Sequence, residues 1–312
     1  MKTILVTGAA GFIGAAVAKK LLDEGNKVVT IDTLSTGFKS AILTGVDFYQ
    51  GDCQDKNVVK ELEKYSFKAI FHIAGQSSGE ISFDDPVYDL QTNAQSTLLL
   101  LKLALKTGCK KFIYASTMSV YGDKPDVPVK EDTILAAKSF YGVGKIASEH
   151  YLRIYAEYGI NSTALRLFNV YGPGQNMENL RQGMVSIFLA QAISDKQIHV
   201  KGSKDRYRDF VYIDDVVNAF ISAYNRKLTG FNKCNISTGV KTKIESLIET
   251  MVGKLPYEVN VVYKGGTPGD QFGITGHIKE AKRLLGWTPK ITLDEGLSKM
   301  TRWALNQKDC LF

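Results

Sequence analysis

The chain has 312 residues, of which 44% are hydrophobic and 23% are charged, and its formal net charge is +7. This composition is typical of a soluble globular protein with room for one large domain or two. Its modest basic excess is more typical of a solvated surface than of nucleic-acid binding, although it also suits anionic ligands such as a nucleotide diphosphate. Because no apolar run approaches the ~20 residues that span a bilayer, we expect no membrane segment.

The cysteines are widely scattered, and none of their spacings suggests a zinc site or a redox pair. They are Cys53, Cys109, Cys234 and Cys310. The sequence starts directly with a predicted strand, so neither a signal peptide nor a transit peptide is apparent. We therefore expect reduced thiols, a cytoplasmic location and no bound metal.

Residues 1–32 have the pattern of a strand, a glycine turn, a helix and a second strand. The apolar run within residues 2–7 predicts a buried parallel strand, and residues 15–24 have the spacing of a helix with one apolar side. Residues 28–31 predict the second strand, and Asp32 stands at its carboxyl end.

The turn between the first strand and the helix carries three glycines, each three residues from the next. Without Cβ atoms, the backbone turns tightly and approaches a pyrophosphate, whose charge is favoured at the helix N-terminus. About twenty residues further on, the Asp32 carboxylate is placed to accept ribose hydroxyls and to repel a 2′-phosphate. An ordinary glycine-rich turn is the alternative, but the flanking strand, helix and acid favour a site for NAD. The residues of the turn assigned to this site are Gly8, Gly11, Phe12, Ile13 and Gly14.

The alternation of strands and helices continues to residue 168. Residues 46–50, 69–74, 111–116 and 160–168 predict strands, and residues 58–65, 86–107 and 136–158 predict helices. This order specifies an α/β fold with a doubly wound parallel sheet, the Rossmann architecture, over residues 1–168. Further along the alternation loosens, so residues 169–312 are predicted to form mainly a second, smaller lobe, with segments of about 209–238 returning to the first domain.

The strand at residues 69–74 leads to further candidates. Ala74 and Gly75 end it with small residues, which allow a flat cofactor to lie against the backbone. His72 lies within the apolar run and has no neighbouring nucleophile or ligand set. We therefore interpret it as a packed or hydrogen-bonded core histidine rather than a catalyst.

Tyr141 and Lys145 lie four residues apart, so a helix places them on one face. An ammonium near a phenol favours the phenolate and lowers its pKa from ~10, which prepares Tyr141 as a general base toward a sugar hydroxyl. Thr117 directly follows the fifth predicted strand, at the edge where open α/β sheets place their ligands, and it is positioned to share the same hydroxyl. A surface tyrosine–lysine pair is the alternative, which this position disfavours.

Together these motifs resemble the extended short-chain dehydrogenases/reductases, and most closely the NAD-dependent nucleotide-sugar epimerase/dehydratase family in the group of UDP-glucose 4-epimerase. The features that carry the resemblance are the glycine spacing after Thr7, the set of Thr117, Tyr141 and Lys145, and segments 32–37, 169–173 and 208–216. It implies NAD as cofactor and a nucleotide-diphosphate sugar as substrate, with a UDP-sugar favoured. It also implies a substrate-binding second lobe and a homodimer paired through the two long predicted helices.

The resemblance further implies roles for single residues. It assigns Asp52, with Cys53 beside it, to the adenine, and Asn93 to a structural water or a backbone contact. A turn or N-cap aspartate and a solvent-facing asparagine are the alternatives. It assigns Asn169 to the substrate diphosphate and Arg208 to its charge, for which the planar guanidinium fork is well suited. A turn asparagine and a surface arginine are the alternatives here.

Two departures from the family pattern bear on the reaction. Met118 and Ser119 stand where the dehydratases carry an Asp–Glu pair, and neither does acid–base work at neutral pH, so dehydration is disfavoured. Thr267 stands where many epimerases carry an arginine before Pro-Gly-Asp, of which Asp270 is assigned to the substrate. One phosphate contact is therefore missing or supplied from elsewhere. The candidates for a replacement are Arg181 and Lys264.

The sequence therefore predicts an NAD-dependent nucleotide-sugar epimerase that acts at C4 of a UDP-sugar. Tyr141 removes the 4-hydroxyl proton while the C4 hydride moves to NAD⁺, and hydride then returns to the other face of the 4-keto sugar. A nucleotide-sugar 4-ketoreductase or dehydrogenase of the same branch is the alternative enzyme, followed by a 4,6-dehydratase. A non-catalytic NAD-binding protein is the alternative of a different class, against which the intact catalytic set argues.

Overall fold

The computed structural model describes residues 3–266 and 271–311. Its strands are β1 (Thr3–Thr7), β2 (Lys27–Asp32), β3 (Asp47–Gln50), β4 (Ala69–His72), β5 (Lys111–Thr117), β6 (Asn161–Leu167), β7 (Asn169–Tyr171), β8 (Gln197–Val200), β9 (Tyr207–Arg208), β10 (Phe210–Tyr212), β11 (Phe231–Ile236), β12 (Thr242–Lys243) and β13 (Asn260–Tyr263). Its helices are α1 (Phe12–Asp23), α2 (Lys56–Glu61), α3 (Pro86–Leu90), α4 (Ser96–Lys106), α5 (Phe140–Ala156), α6 (Met184–Ser194), α7 (Ile213–Asn225), α8 (Ile244–Val252), α9 (Lys279–Leu285) and α10 (Leu293–Leu311).

Within the described residues, seven strands form one parallel sheet in the order β11-β6-β5-β4-β1-β2-β3. The chain leaves β1 toward β2 and β3 and then crosses back to β4, β5 and β6 on the other side. In open α/β sheets, ligands bind beyond the carboxyl ends of the strands at such a reversal, which here lies between β1 and β4. The predicted doubly wound, Rossmann-type α/β fold is confirmed.

Helices cover both faces of this sheet, so the sheet separates two hydrophobic cores. The side chains of β1 alternate between these two cores. Successive side chains of a strand point to opposite faces. Ile4 and Val6 pack in the core that contains Val17 and Leu21 of α1, whereas Leu5 packs in the core beneath α2, α4 and α5. Burial on both faces explains why β1 appears in the sequence as a continuous apolar run.

Two later segments of the chain join the sheet and its helical layer. β11 pairs in parallel with β6 over the whole length of β11, and α7 packs against α1. The other short strands pair outside the central sheet, β7 with β10, β8 with β13 and β9 with β12. α6, α8 and α10 pack against one another beside these pairs.

The prediction of one regular helix over residues 86–107 was wrong at its centre. α3 is followed by a π-type turn over Gln91–Gln95 and then by α4. Asn93 lies in this turn with 0% of its surface exposed, and its side-chain amide donates to the carbonyl of Gln76. Such turns are frequent at functional sites. Here the turn carries a polar side chain toward the carboxyl edge of β4.

The second long helix also begins later than residue 136, where the sequence predicted it. The side chain of Ser139 accepts a hydrogen bond from the backbone N–H of Gly142, so this serine caps α5 and fixes its first turn.

None of the helices within residues 3–266 and 271–311 combines the length and the apolar character that a membrane span requires.

Candidate active site

The glycine turn is packed tightly between the ends of β1 and β4. Gly8 has a φ of +73°, and a Cβ added to it would stand 2.8 Å from the backbone nitrogen of Ala74. A Cβ on Gly14 would overlap the carbonyl oxygen of Gly8. Gly11 is the N-cap of α1 and brings no side chain over the first amide groups of that helix. The turn thus presents bare backbone at a positive helix terminus, which fits a pyrophosphate.

Asp32 ties this turn to the loop that follows β2. Its Oδ2 accepts the backbone N–H of Ala10 at 2.9 Å, and its Oδ1 accepts that of Leu34 at 2.8 Å. A carboxylate has about four acceptor positions. After these two hydrogen bonds, each oxygen keeps capacity for one ribose hydroxyl.

Asp52 and Cys53 lie at the next strand end. The Asp52 carboxylate accepts the backbone and side-chain N–H groups of Gln54, at 3.0 and 2.9 Å. These hydrogen bonds hold the turn after β3, and the N-cap of α2 is Asp55 rather than Asp52. Cys53 is buried, and burial raises the pKa of its thiol. This thiol is consequently a packing group rather than a nucleophile.

The end of β4 is held by a buried chain of hydrogen bonds. The Thr7 hydroxyl accepts the backbone N–H groups of Ile73 and Ala74 and so donates its own proton to Nδ1 of His72. Nε2 of His72 then donates to Thr97 at 3.1 Å. Burial depresses the pKa of His72, which keeps the ring neutral. The interpretation of His72 as a hydrogen-bonded core histidine is confirmed.

Thr117, Tyr141 and Lys145 lie together at the carboxyl edge of β5, and all three are buried. The Thr117 hydroxyl donates to Ser119 at 3.2 Å, and the Thr117 side chain lies near enough to the Tyr141 phenol to lower its pKa. The Lys145 ammonium donates to the carbonyl of Ala115 at 3.0 Å and lies 5.7 Å from the centre of the Tyr141 ring. The predicted set is therefore a real spatial cluster and not a surface pair.

The electrostatics of this cluster differ from the sequence-based expectation. Burial raises the pKa of Tyr141 to about 12, although the neighbouring Thr117 side chain lowers it. Burial also lowers the pKa of Lys145 to about 8, while the Asp89 carboxylate raises it. The expectation of a phenol pKa below its usual value was wrong, because loss of hydration is the largest influence on this pKa in the pocket.

Gly75 and Asn93 form the wall beside Lys145. A Cβ on Gly75 would overlap Oδ1 of Asn93 and would stand 3.6 Å from Nζ of Lys145. Oδ1 of Asn93 is buried and has no hydrogen-bond partner among the described residues. The solvent-facing alternative for Asn93 is wrong. Since an orphaned buried acceptor favours a bound donor, this wall and the glycine turn together fit NAD along the carboxyl ends of β1 and β4.

The candidates for the substrate lie on the other side of Thr117. Asn169 belongs to β7 rather than to a turn, and its side chain donates to the carbonyl of Asp209 at 3.0 Å and lies 3.8 Å from the sulfur of Met118. Arg208 is buried rather than on the surface, and it donates to the carbonyls of Tyr207 and Phe272. Both alternatives to a site role are therefore wrong.

The segment with the third substrate candidate, Asp270, and with Thr267 lies outside the described residues. Of the two replacement candidates for the missing phosphate contact, Arg181 forms an exposed ion pair with Asp84 at 2.7 Å. Lys264 is exposed. Among the described residues, no group of His, Cys, Asp or Glu side chains is arranged to hold a metal.

The sequence reasoning missed two buried groups that support this site. Asp89 lies four residues before Asn93 and accepts a hydrogen bond from its amide, a spacing that helical periodicity offers as a signal. Glu149 lies one turn beyond Lys145 and forms an ion pair at 2.6 Å with Arg166, whose side chain is 0% exposed. Both acids were overlooked because charged residues on a helix are usually solvated.

Comparisons with known proteins agree with this geometry. The model of the family described as "NAD dependent epimerase/dehydratase family" matches residues 4–237. A UDP-glucose 4-epimerase of Mycolicibacterium smegmatis is 32% identical over 310 residues, which cover 97% of this chain and 98% of the relative.

Two solved structures are similar over almost the full length. A UDP-glucose 4-epimerase of Thermotoga maritima with UDP-glucose has a TM-score of 0.94 at 35% identity and covers 98% of this chain and 99% of its own. A UDP-glucose 4-epimerase of Thermus thermophilus in complex with NAD has a TM-score of 0.90 at 30% identity and covers 96% and 98%. The chain therefore belongs to the NAD-dependent epimerase/dehydratase family.

Proposed function

We propose that the protein is an NAD-dependent nucleotide-sugar epimerase that inverts C4 of a UDP-sugar. The observation that carries this proposal is the buried cluster of Thr117, Tyr141 and Lys145 beside the glycine turn. A binding module has no need of a buried phenol and ammonium at this edge of the sheet. The UDP-glucose 4-epimerases with similar sequences and structures support the choice of substrate.

Three residues of the chain are proposed to act directly in the reaction. Tyr141 accepts the proton of the 4-hydroxyl as general base, and Thr117 shares a hydrogen bond with the same oxygen. Lys145 stabilises the phenolate by its positive charge. When bound, NAD⁺ would supply the acceptor and donor of the C4 hydride, and its positive charge would oppose the effect of burial on the phenol. Tyr141 finally returns the proton, so the reaction has no net redox change.

The glycine turn and its surroundings are assigned to the cofactor. The bare backbone between Gly8 and Gly14 binds the pyrophosphate, and Asp32 binds the adenosine ribose. Asp52 and Cys53 border the adenine. The wall of the pocket on the side of Lys145 consists of Ala74, Gly75 and Asn93.

The substrate is assigned to the second lobe, which consists mainly of residues 169–312 apart from the segments at about 209–238. The pairing of β11 with β6 and the packing of α7 on α1 support this division. Asn169 and Arg208 are proposed to bind the diphosphate, and Asp270 is proposed to bind the substrate. Met118 and Ser119 supply no acid or base, which favours epimerisation over dehydration.

The test is direct conversion of nucleotide sugars by the purified protein. We expect interconversion of at least one 4-epimer pair among UDP-glucose, UDP-N-acetylglucosamine and their uronic acids, with no net change of NADH absorbance. Tyr141→Phe should lower turnover by about 10²–10⁴-fold, whereas Tyr158→Phe, which alters an exposed tyrosine near the end of the same helix, should not. Net NAD(P)H consumption with a 4-keto sugar would instead identify a ketoreductase.

The proposal includes a homodimer. Four apolar side chains are exposed here: Phe83 just before α3, Val87 on α3, and Phe140 and Val143 on α5. The rings of Phe83 and Phe140 lie 5.5 Å apart. A cluster of this kind favours pairing across a two-fold axis. Light scattering should give the dimer mass at micromolar concentration, and Val143→Asp should give the monomer. Val240→Asp, at an equally exposed valine elsewhere, serves as the control.

The proposal also includes a cytoplasmic location. Cys53, Cys109 and Cys234 are buried free cysteines, a state that reducing compartments maintain. A disulfide in protein isolated from its source cells with thiols blocked at lysis would contradict this location.

A further inference from the structure

Asp89, at the end of α3, is a carboxylic acid with only 1% of its surface exposed. Its Oδ1 accepts Nε2 of Gln76 at 2.8 Å and Nδ2 of Asn93 at 3.2 Å. Its Oδ2 is buried and has no hydrogen-bond partner in the part of the chain that the structure describes. Burying a charge in this way is costly unless an opposite charge lies nearby.

The carboxylate lies against the helix turn that carries Lys145. A Cβ on Gly144, the residue before Lys145, would stand 3.6 Å from Oδ2 of Asp89. Asn93, which Asp89 holds through its amide, lies with the Lys145 ammonium beside Gly75. Glycine at position 144 therefore leaves room for α3 to approach α5 at the orphaned oxygen.

The other groups that face Lys145 supply no negative charge. From β4 comes His72, which is neutral because burial depresses its pKa. From β5 comes the ring of Tyr114, 4.8 Å from the ammonium, and burial raises the pKa of this phenol. On α5 itself stands Tyr141, whose pKa burial also raises. Among the described residues that face Lys145, Asp89 is the carboxyl group whose charge acts on the ammonium.

Asp89 and Lys145 each shift the pKa of the other toward its charged form, as opposite charges do. The Asp89 charge raises the pKa of Lys145, which burial alone lowers. Burial raises the pKa of Asp89, and the hydrogen bonds from Gln76 and Asn93 and, less strongly, the Lys145 charge lower it. The same carboxylate raises the pKa of Tyr141. One buried charge thus acts on both titrating members of the catalytic cluster.

We propose that Asp89 is a positioning residue that holds Lys145 in its ammonium form beside Tyr141. It acts through Lys145 and Asn93 and contacts neither substrate nor cofactor. Its consequence for catalysis rests on the proposed function, whereas its effect on the charge state of Lys145 is a property of the protein alone.

The primary test measures the charge state directly, by NMR titration of the purified full-length protein labelled with ¹³Cε-lysine. The Lys145 resonance is identified by its loss in Lys145→Met. Asp89→Asn should lower the Lys145 pKa by about one unit or more, as expected for loss of an opposite charge at close range. Asp85→Asn is the matched control, because it removes an exposed charge from the same helix and keeps a good N-cap residue.

The second test is the pH profile of epimerase turnover. Loss of the carboxylate lowers the pKa values of Lys145 and Tyr141 together, so both limbs of the profile should move to lower pH in Asp89→Asn. A purely structural defect would reduce the height of the profile without this common displacement. Asp85→Asn should keep both limbs in place.

The outcomes separate the two proposals. An unchanged Lys145 pKa in Asp89→Asn overturns the role of Asp89, whether or not the protein is an epimerase. A lowered Lys145 pKa in a protein without epimerase activity supports the role and refutes the proposed function. If Asp89→Asn does not fold, Asp89→Ser provides a smaller neutral variant. If neither neutral variant folds but Asp89→Glu folds with a wild-type Lys145 pKa, the negative charge at position 89 is required and the proposal is supported. If Asp89→Glu also fails to fold, Asp89 is a folding residue and the proposal is overturned.

Discussion

The buried ion pair between α5 and β6 offers the sharpest test of how the catalytic helix is held. Nε and Nη2 of Arg166 donate to the two oxygens of Glu149 at 2.9 and 2.6 Å. Nη1 donates to the Tyr121 hydroxyl and to the carbonyl of Glu131. We expect Arg166→Met to lower the free energy of unfolding by about 3–5 kcal/mol, because it leaves the Glu149 carboxylate buried without its counter-charge. This loss is a large fraction of the ~5–15 kcal/mol that stabilises a typical domain.

A double variant distinguishes this reasoning from simple loss of packing. Glu149→Met combined with Arg166→Met removes both charges, so the double variant should be more stable than Arg166→Met alone. Urea unfolding followed by tryptophan fluorescence measures the midpoints. Arg283→Met, which breaks the exposed pair with Glu280, should leave the midpoint near that of the wild type. A double variant no more stable than Arg166→Met would refute the argument.

The remaining predictions concern the cofactor site, the start of α5 and the dependence on pH. Gly14→Ala brings a Cβ into overlap with the Gly8 carbonyl, so we expect the variant to retain less bound NAD than the wild type after gel filtration. Equal amounts of bound NAD would contradict the tight packing of the turn. Asp32→Ser should reduce the preference for NAD over NADP by about tenfold or more, because like charges at 4 Å repel by ~1–4 kcal/mol between water and a protein surface. Calorimetric titration with both cofactors measures that ratio, and an unchanged ratio would exclude Asp32 as its cause. Ser139→Ala removes the cap of α5 and should cost about 1 kcal/mol of unfolding free energy, visible as a lower urea midpoint. Because burial lowers the pKa of Lys145 to about 8, turnover should fall as the pH rises through 8 and the ammonium is lost. A plateau that extends to ~10, the usual range of lysine, would contradict this.

The parts of the site that follow local rules could be predicted from the sequence. The glycine turn and Asp32 lie within one strand–helix–strand unit, and Tyr141 and Lys145 are neighbours on one helix, so spacing alone relates them. The π-type turn at Asn93 has no such local signal, because Asn93 donates to the carbonyl of Gln76, which lies outside the helix.

The electrostatic supports of the site could not be predicted, because they depend on burial by distant segments. Glu149 and Arg166 appear in the sequence as ordinary charged residues, and only the packing of α5 on β6 removes both from water. The direction of the Tyr141 pKa was missed for the same reason. Helical spacing gives the distance between two groups, whereas the hydration that they lose depends on the whole fold.

The return of the chain to the central sheet has a consequence for any attempt to divide the protein. A fragment that stopped at residue 168 would lack β11, leaving the backbone of β6 as an open strand edge prone to aggregation. It would also lack α7, which uncovers the apolar side of α1 directly behind the glycine turn. We therefore do not expect truncation or limited proteolysis to yield a stable nucleotide-binding half. Destabilising substitutions in β11 or α7 should also weaken the retention of the cofactor by residues 1–168.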